Sequence, residues 1–284
     1  MALWTPARIT TVLWLDASDA STLYNATSGG SLVAANGTIA RWQDKSGNAR
    51  HVTQATSGSR PLRKTSIVNS LDIARFDGTD DLLETAFASF GTAYCVMSVV
   101  MSTNPTASGG IIVCRSKTAG LPLNPQSAFN GSGNMGWAVR NDAGTLSQNV
   151  ISGLSASVYY LAGGTRSGNN VTTYLDGTAG TTGTNNVSGV TTTTVTSVGA
   201  LYSGTGTPNT FLNGDIGEII VCSDIAEREK IEGYLAHKWG QSSRLPSGHP
   251  YKNAAPSYGG SSPINGQSLV RPAGDYLPQQ LIVS

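Results

Sequence analysis

Short apolar runs, each closed within a few residues by Gly, Asn, Asp, Pro or Ser, recur along most of this 284-residue chain and constrain its fold more than any other feature. Thr11 to Leu15, Ala40 to Gln43, Leu71 to Phe76, Tyr94 to Met101, Gly110 to Cys114, Gly136 to Arg140, Val158 to Gly163, Val171 to Leu175, Val195 to Leu201 and Ile216 to Val221 all read as strands between turns. So many short strands, without alternating helices, predict two antiparallel sheets packed as a sandwich. Val158 to Leu175 reads as a hairpin turning at Ser167-Gly168-Asn169-Asn170, and Asp176-Gly177 opens a further turn. Thr178 to Thr194, rich in Thr, Gly and Asn, reads as a loop followed by a strand. With 34 glycines and only 12% charged residues, the composition suits a turn-rich β protein.

One segment breaks the pattern. Asp224 stands as an N-cap with Glu227 as its reciprocal partner, and Ile231, Tyr234, Leu235 and Trp239 follow at helical spacing. His237 and Lys238 sit where the helix dipole favours positive charge, and Gly240 is placed to end the helix. An amphipathic helix over 224–239 of about four turns is expected to lie against a sheet. It is too short to cross a membrane.

Residues 1–252 therefore read as one β domain that includes this helix, and 253–284 as an extended arm broken by Pro256, Pro263, Pro272 and Pro278. The arm carries Leu269, Tyr276, Leu277, Leu281, Ile282 and Val283, an apolar set suited either to a frayed terminus or to docking on another chain by strand addition. Cys95, Cys114 and Cys222 lie in or beside apolar runs with no metal-ligand spacing, so buried free thiols and assembly in a reducing compartment are expected. The first residues hold no apolar run of the signal-peptide kind. A formal net charge of +1 leaves no electrostatic footprint for nucleic acid.

Five blocks occur in order: Trp14-Leu15-Asp16-Ala17-Ser18; Trp42-Gln43-Asp44-Lys45-Ser46-Gly47-Asn48; Arg75-Phe76-Asp77-Gly78-Thr79-Asp80-Asp81; Gly214-Asp215-Ile216-Gly217-Glu218; and the helix with Leu245-Pro246 and His249-Pro250-Tyr251. From about Arg8 to Pro256 the chain thereby resembles the concanavalin A-like lectin/glucanase superfamily, in the laminin-G-like form found in bacterial surface proteins and in structural proteins of tailed bacteriophages. The resemblance implies an all-β, two-sheet antiparallel jelly roll with one accessory helix, a curved sheet that can present a ligand surface, and in many relatives a calcium ion near the loops. Fold of this kind does not by itself carry function.

Glucanases share the superfamily, but retaining hydrolysis needs two carboxyl groups about 5 to 5.5 Å apart. In the jelly-roll glucanases these come from a strand bearing Glu-x-Asp-x-x-Glu, which is absent here. Asp215 and Glu218, three apart, are expected on opposite faces of a regular strand. His51, His237 and His249 are too scattered to signal a metal pair or a catalytic triad. Gly204-Thr205-Gly206 lacks the Lys and helix of a phosphate loop. These tests leave a glycoside hydrolase only as a distant third reading, behind two non-enzymatic ones.

Two kinds of site remain. Asp77, Asp80 and Asp81 put hard oxygen ligands on one loop, as calcium requires, although the same residues also build a tight turn. No other cofactor is called for. Sugar binding needs rings to stack on pyranose faces and amides or carboxylates to hold hydroxyls. Trp137, Arg140, Asn141, Asp142 and Tyr159 supply such groups, with Trp137 expected to be exposed and Trp14, Trp42 and Trp239 in the core. The expectation is a non-enzymatic structural protein of a tailed-phage virion, on the capsid or in a tail or fibre, oligomeric in its assembly. It would be made in the host cytoplasm, held to other virion proteins by the arm, and able to meet host-surface glycans. The alternative is a bacterial cell-surface or secreted carbohydrate-binding module.

Overall fold

The computed structural model describes residues 3–257, apart from 88, 116–122, 182, 185–186, 188–192 and 203–206. The arm residues Leu269, Tyr276, Leu277, Leu281, Ile282 and Val283 lie outside them. Two nine-stranded antiparallel sheets pack face to face as a jelly-roll sandwich.

At the centre of the first sheet, Ala93–Ser102 lies between Tyr159–Ser167 and Asn213–Cys222. Leu71–Asp77 and Leu62–Val68 continue it to one edge, and Asn170–Leu175 leads to the other. The second sheet runs Leu146–Ser152, Asn134–Arg140, Leu123–Asn130, Ser108–Arg115, Val195–Val198, Leu83–Thr85, Val52–Thr53, Arg41–Trp42 and Leu23–Tyr24.

The two central strands of the first sheet are apolar almost throughout because both of their faces are covered. Tyr94, Val96 and Val100 join the core between the sheets, while Cys95, Met97 and Val99 meet a second apolar cluster under the helix. This double burial explains why the runs at 94–101 and 216–221 show no alternation. Edge position explains the opposite case at Leu62–Val68, where Arg63 and Lys64 sit on the outermost strand and discourage pairing with another chain.

The α-helix spans Arg228–Lys238, preceded by a 3-10 turn at Ile225–Glu227. Asp224 caps that turn by accepting from the Ala226 N–H at 2.9 Å. Glu227 does not reach back as a capping partner; it pairs instead with Lys230 at 2.7 Å. The helix is thus one turn shorter than the spacing predicted. It ends as expected, with Gly240 at φ +69° and the Gln241 N–H reaching back to the Ala236 carbonyl at 2.7 Å.

Its expected wet face is also covered. Glu232 and Gly233 are buried, because the chain after Leu245 folds back across the helix. His249 meets Glu232 at 3.1 Å, Tyr251 packs on Gly233, and His237 bonds the Tyr251 carbonyl at 2.8 Å. The two ends of the described chain then meet, the Trp4 N–H donating to the Pro256 carbonyl at 2.9 Å and Leu3 bridging Ser257.

The hairpin at Tyr159–Ser167 and Asn170–Leu175 turns where the sequence placed it, Ser167 opposite Asn170. Thr178 to Thr194 departs from the expected loop at its start, where Thr178–Ala179 and Gly183–Thr184 add to the sheet edge beside Asn170–Leu175. Asp176 and Gly177, at φ +50° and +79°, supply the positive dihedrals that this hairpin turn demands. Leu123–Asn130 and Leu146–Ser152 are strands that the sequence reading omits; Asn, Gln, Ser and a proline dilute their apolar positions.

Candidate functional site

Four of the five blocks that carried the family resemblance contribute to one buried polar knot. Strand Thr11–Asp16 pairs with Asn213–Cys222 so that Asp16 lies opposite Glu218, and a register shift between Ile216 and Glu218 marks a bulge at Gly217. A side chain at Gly217 would strike the Trp239 ring at 2.7 Å, so the bulge and the helix seat are made for each other.

Glu218 is fully buried and both its oxygens are occupied. Oε1 accepts from Trp14 Nε1 at 2.7 Å and the Tyr234 hydroxyl at 3.1 Å; Oε2 accepts from Lys238 Nζ at 2.7 Å and Trp239 Nε1 at 2.8 Å. Lys238 also reaches Asp16 at 2.8 Å, and Lys45 joins Asp16 to Asp19. Burial pushes the Glu218 carboxyl up, and the Asp16 charge adds to it, against the pull of Lys238. Burial acts on Asp16 in the same sense, but Lys238 and Lys45 outweigh it and hold that carboxyl below its ordinary range.

The same bulge corrects the expectation for Asp215. With Gly217 as an extra residue, Asp215 and Glu218 share the helix-side face instead of opposing faces. They still do not form a catalytic pair. Asp215 is fully buried, gripped by Arg75 through two bonds of 2.7 and 2.8 Å and by a short bond from the Tyr159 hydroxyl. Each carboxylate is taken up by donors, Glu218 clamping the helix to the sheet and Asp215 tying neighbouring strands of the sheet together.

The five residues expected to bind sugar are not brought together. Trp137 is 0% exposed, pointing between the sheets with its ring against Gly164 and Tyr94, so the expected exposure is overturned. Its neighbours across the interface are small or aromatic, which lets an indole fill the gap between sheets. Arg140 is half-buried at the end of the same strand, Asn141 is buried and closes a turn by accepting from the Thr145 N–H at 2.8 Å, and Asp142 is exposed on that turn. Tyr159 lies on the other sheet, on Asp215. Trp14, Trp42 and Trp239 are core residues, as expected.

Asp77, Asp80 and Asp81 do come together, with candidate ligand oxygens within 4.8 Å of one another. Asp77 Oδ1 accepts from the Thr79 N–H, Asp81 Oδ2 from the Asp77 N–H and Asp80 Oδ2 from the Ser59 hydroxyl. One oxygen of each carboxylate is left without a donor among the described residues. Burial, with the charges of Asp77 and Asp80, pushes the Asp81 carboxyl up to about 6. Three hard oxygens and uncompensated negative charge fit a calcium ion.

Beside this loop, a recess of about 510 Å³ opens on the second sheet. Thr53 and Glu84, cross-strand partners, form its floor with Thr85, and His51, Gln54 and Thr194 stand round it. His51 Nδ1 accepts from the Asp44 N–H at 3.1 Å, which leaves the proton on Nε2 as a donor. Gln54 donates to the Leu82 carbonyl at 3.3 Å, next to Asp81, and Arg60 donates to the Gln54 and Ala55 carbonyls. Hydroxyls, an amide, a carboxylate and an imidazole thus converge on a concavity of ligand size. Sequence reasoning missed it because its residues come from three separated segments, two of them strands of two and three residues with no readable alternation.

Neither a protein-family model nor a curated protein matches this sequence. Solved structures do. The botulinum neurotoxin serotype D ligand-binding domain, solved with N-acetylneuraminic acid, superposes with a TM-score of 0.55 at 11% identity, over 84% of this chain and 53% of that one. The likeness is one of fold. The receptor-binding domain of the botulinum neurotoxin C/D mosaic serotype gives 0.53 at 11% identity, over 82% and 52%. The chain spans about half the length of these structures, 53% and 52%. The Ruminococcus gnavus sialidase CBM40 bound to α2,3-sialyllactose overlaps at 14% identity over 47% of this chain and 76% of its own, with a TM-score of 0.41.

Proposed function

We propose that this chain is a non-enzymatic glycan-binding jelly roll, displayed on a tailed-phage virion and held there by the segment beyond residue 257. The polar recess at His51, Thr53, Gln54 and Glu84 carries the binding half of this reading, because it offers donors and acceptors for sugar hydroxyls and no reacting pair of carboxylates. The fold it shares with domains whose structures were solved with sialic acid or sialyllactose supports the same reading.

The display half rests on the family resemblance. Cys95 and Cys222, opposite each other on neighbouring strands and unlinked, suit a protein assembled in a reducing cytoplasm. No helix among the described residues is long and apolar enough to cross a membrane.

Asp77, Asp80 and Asp81 are proposed to hold a calcium ion that would stiffen the loop supporting Gln54. A glycan array probed with the full chain tests the binding half: bound sugars should be lost on Glu84→Gln combined with Thr53→Ala, and silence across host polysaccharides would leave a purely structural role. Calcium should raise the unfolding temperature, as a ligand of the native state must, and Asp81→Asn should remove the rise. Mass spectrometry of purified particles tests the display half.

A further inference from the structure

A second recess, of about 360 Å³, is lined in part by residues next in the chain to those of the first. Arg50 and Phe87 line it, while their chain neighbours His51 and Ala86 line the polar recess, so these two residue pairs form a ridge between the concavities. The second recess sits at the mouth of the sandwich, with Thr11 and Ser223 from the first sheet on one side and Ser89 on the other.

Its chemistry differs from that of its neighbour. The Arg50 guanidinium carbon sits over the Phe87 ring, 3.8 Å from its centroid, and one N–H goes to the Val12 carbonyl at 2.7 Å. No carboxylate pairs with it among the described residues. Asp44, the nearest acidic group in its own loop, is buried and takes the Arg50 backbone N–H at 3.0 Å, with its other lone pairs given to Trp14 and Ser46. Asn48, also on the rim, is fixed by Nδ2 bonds to the Thr11 and Val12 carbonyls at 3.0 and 3.1 Å, and its Oδ1 stays free to accept. A half-buried guanidinium placed over an aromatic ring, with donors to spare and no counter-charge among the described residues, is pre-organised for a planar or tetrahedral anion.

We propose that the Arg50 recess is an anion-accepting subsite continuous with the polar recess, and that the ligand is an acidic oligosaccharide. A neutral hydroxylated unit occupies the recess at Thr53 and Glu84. The next unit crosses the ridge and presents its carboxylate or sulfate to Arg50, with Phe87 beside the ring. This proposal rests on the glycan-binding reading and adds the class of sugar.

Titration calorimetry of the full chain with matched oligosaccharides tests it, using ends that carry a sialic acid, a uronic acid, a sulfated sugar or no charge. Acidic ligands should bind at least about tenfold more tightly than their neutral counterparts, the difference expected of a charge-assisted pair. The preference should weaken with added salt. Arg50→Gln, which removes the charge, should abolish the preference while neutral binding holds, and Arg50→Lys should restore part of it. The carboxylate and sulfate arms identify which anion the site takes. Equal affinity for acidic and neutral ligands, or a preference that survives Arg50→Gln, would overturn the anionic subsite and leave the glycan reading standing. Binding of no sugar at all would overturn both.

Discussion

Glu218 illustrates how much of this fold depends on single buried polar groups. Four donors converge on it, two of them indole N–H groups that have no other recorded acceptor. Glu218→Ala would strand both indoles away from water and leave Lys238 with Asp16 as its remaining carboxylate, so a loss of about 3 to 5 kcal/mol in denaturant unfolding is expected. A loss below about 1 kcal/mol would mean that the knot relaxes and rehydrates. Asp81 sets a different dependence. Its folded-state carboxyl, at about 6, lies above the ordinary 3.8, so the native state binds the proton more tightly than the unfolded chain. Its contribution to stability is therefore complete below about pH 4 and is lost as pH rises through about 6. In chelating buffer, thermal unfolding across pH 4 to 7 should show this fall for the native chain and a flatter profile for Asp81→Asn.

Among the elements, the strand Asn213–Cys222 decides where the helix sits. Its bulge at Gly217 leaves a gap one ring deep, and Trp239 fills it. Gly217→Ala should overpack this seat and cost about 1 to 3 kcal/mol, with a shift in Trp fluorescence as Trp239 is displaced. An unchanged unfolding midpoint would show that the helix can slide without penalty. The helix spacing on its own suggested one buried face. The actual coverage is wider because residues 245–256 return over Glu232 and Gly233, a contact between elements that no window of helical sequence records.

For the whole molecule, the contact between the two ends of the described chain ties residues past 252 to the N-terminus. The Leu3 bridge to Ser257 and the Trp4 bond to Pro256 place the last packed residues past 252, the boundary suggested by composition. A chain ending at Ser257 should therefore unfold at the same temperature as the full chain yet fail to join particles. Normal incorporation would sink the attachment role of 258–284, whereas a lowered unfolding temperature would show that this segment belongs to the fold. Cutting at 252 instead should lower stability, since it removes the residues that bond Leu3 and Trp4 at the N-terminus.

Turn chemistry and doubly buried runs made the strand class, the 167–170 hairpin, the helix and its Gly240 stop legible from the amino-acid order, because each depends on residues a few positions apart. The acidic trio at Asp77, Asp80 and Asp81 was legible for the same reason. Side-chain direction in the sandwich was not. Trp137 carries no local mark that distinguishes an outward ring from one filling the space over Gly164, and Asp215 changed face because one bulged residue altered the parity of its strand. The two recesses lay further still from view: His51, Glu84, Thr194 and Arg50 become neighbours only when short strands from distant parts of the chain pair. Local order determined which elements form, and only the pairing of distant strands decided which side chains line the two recesses, because facing is set by pairing across the fold.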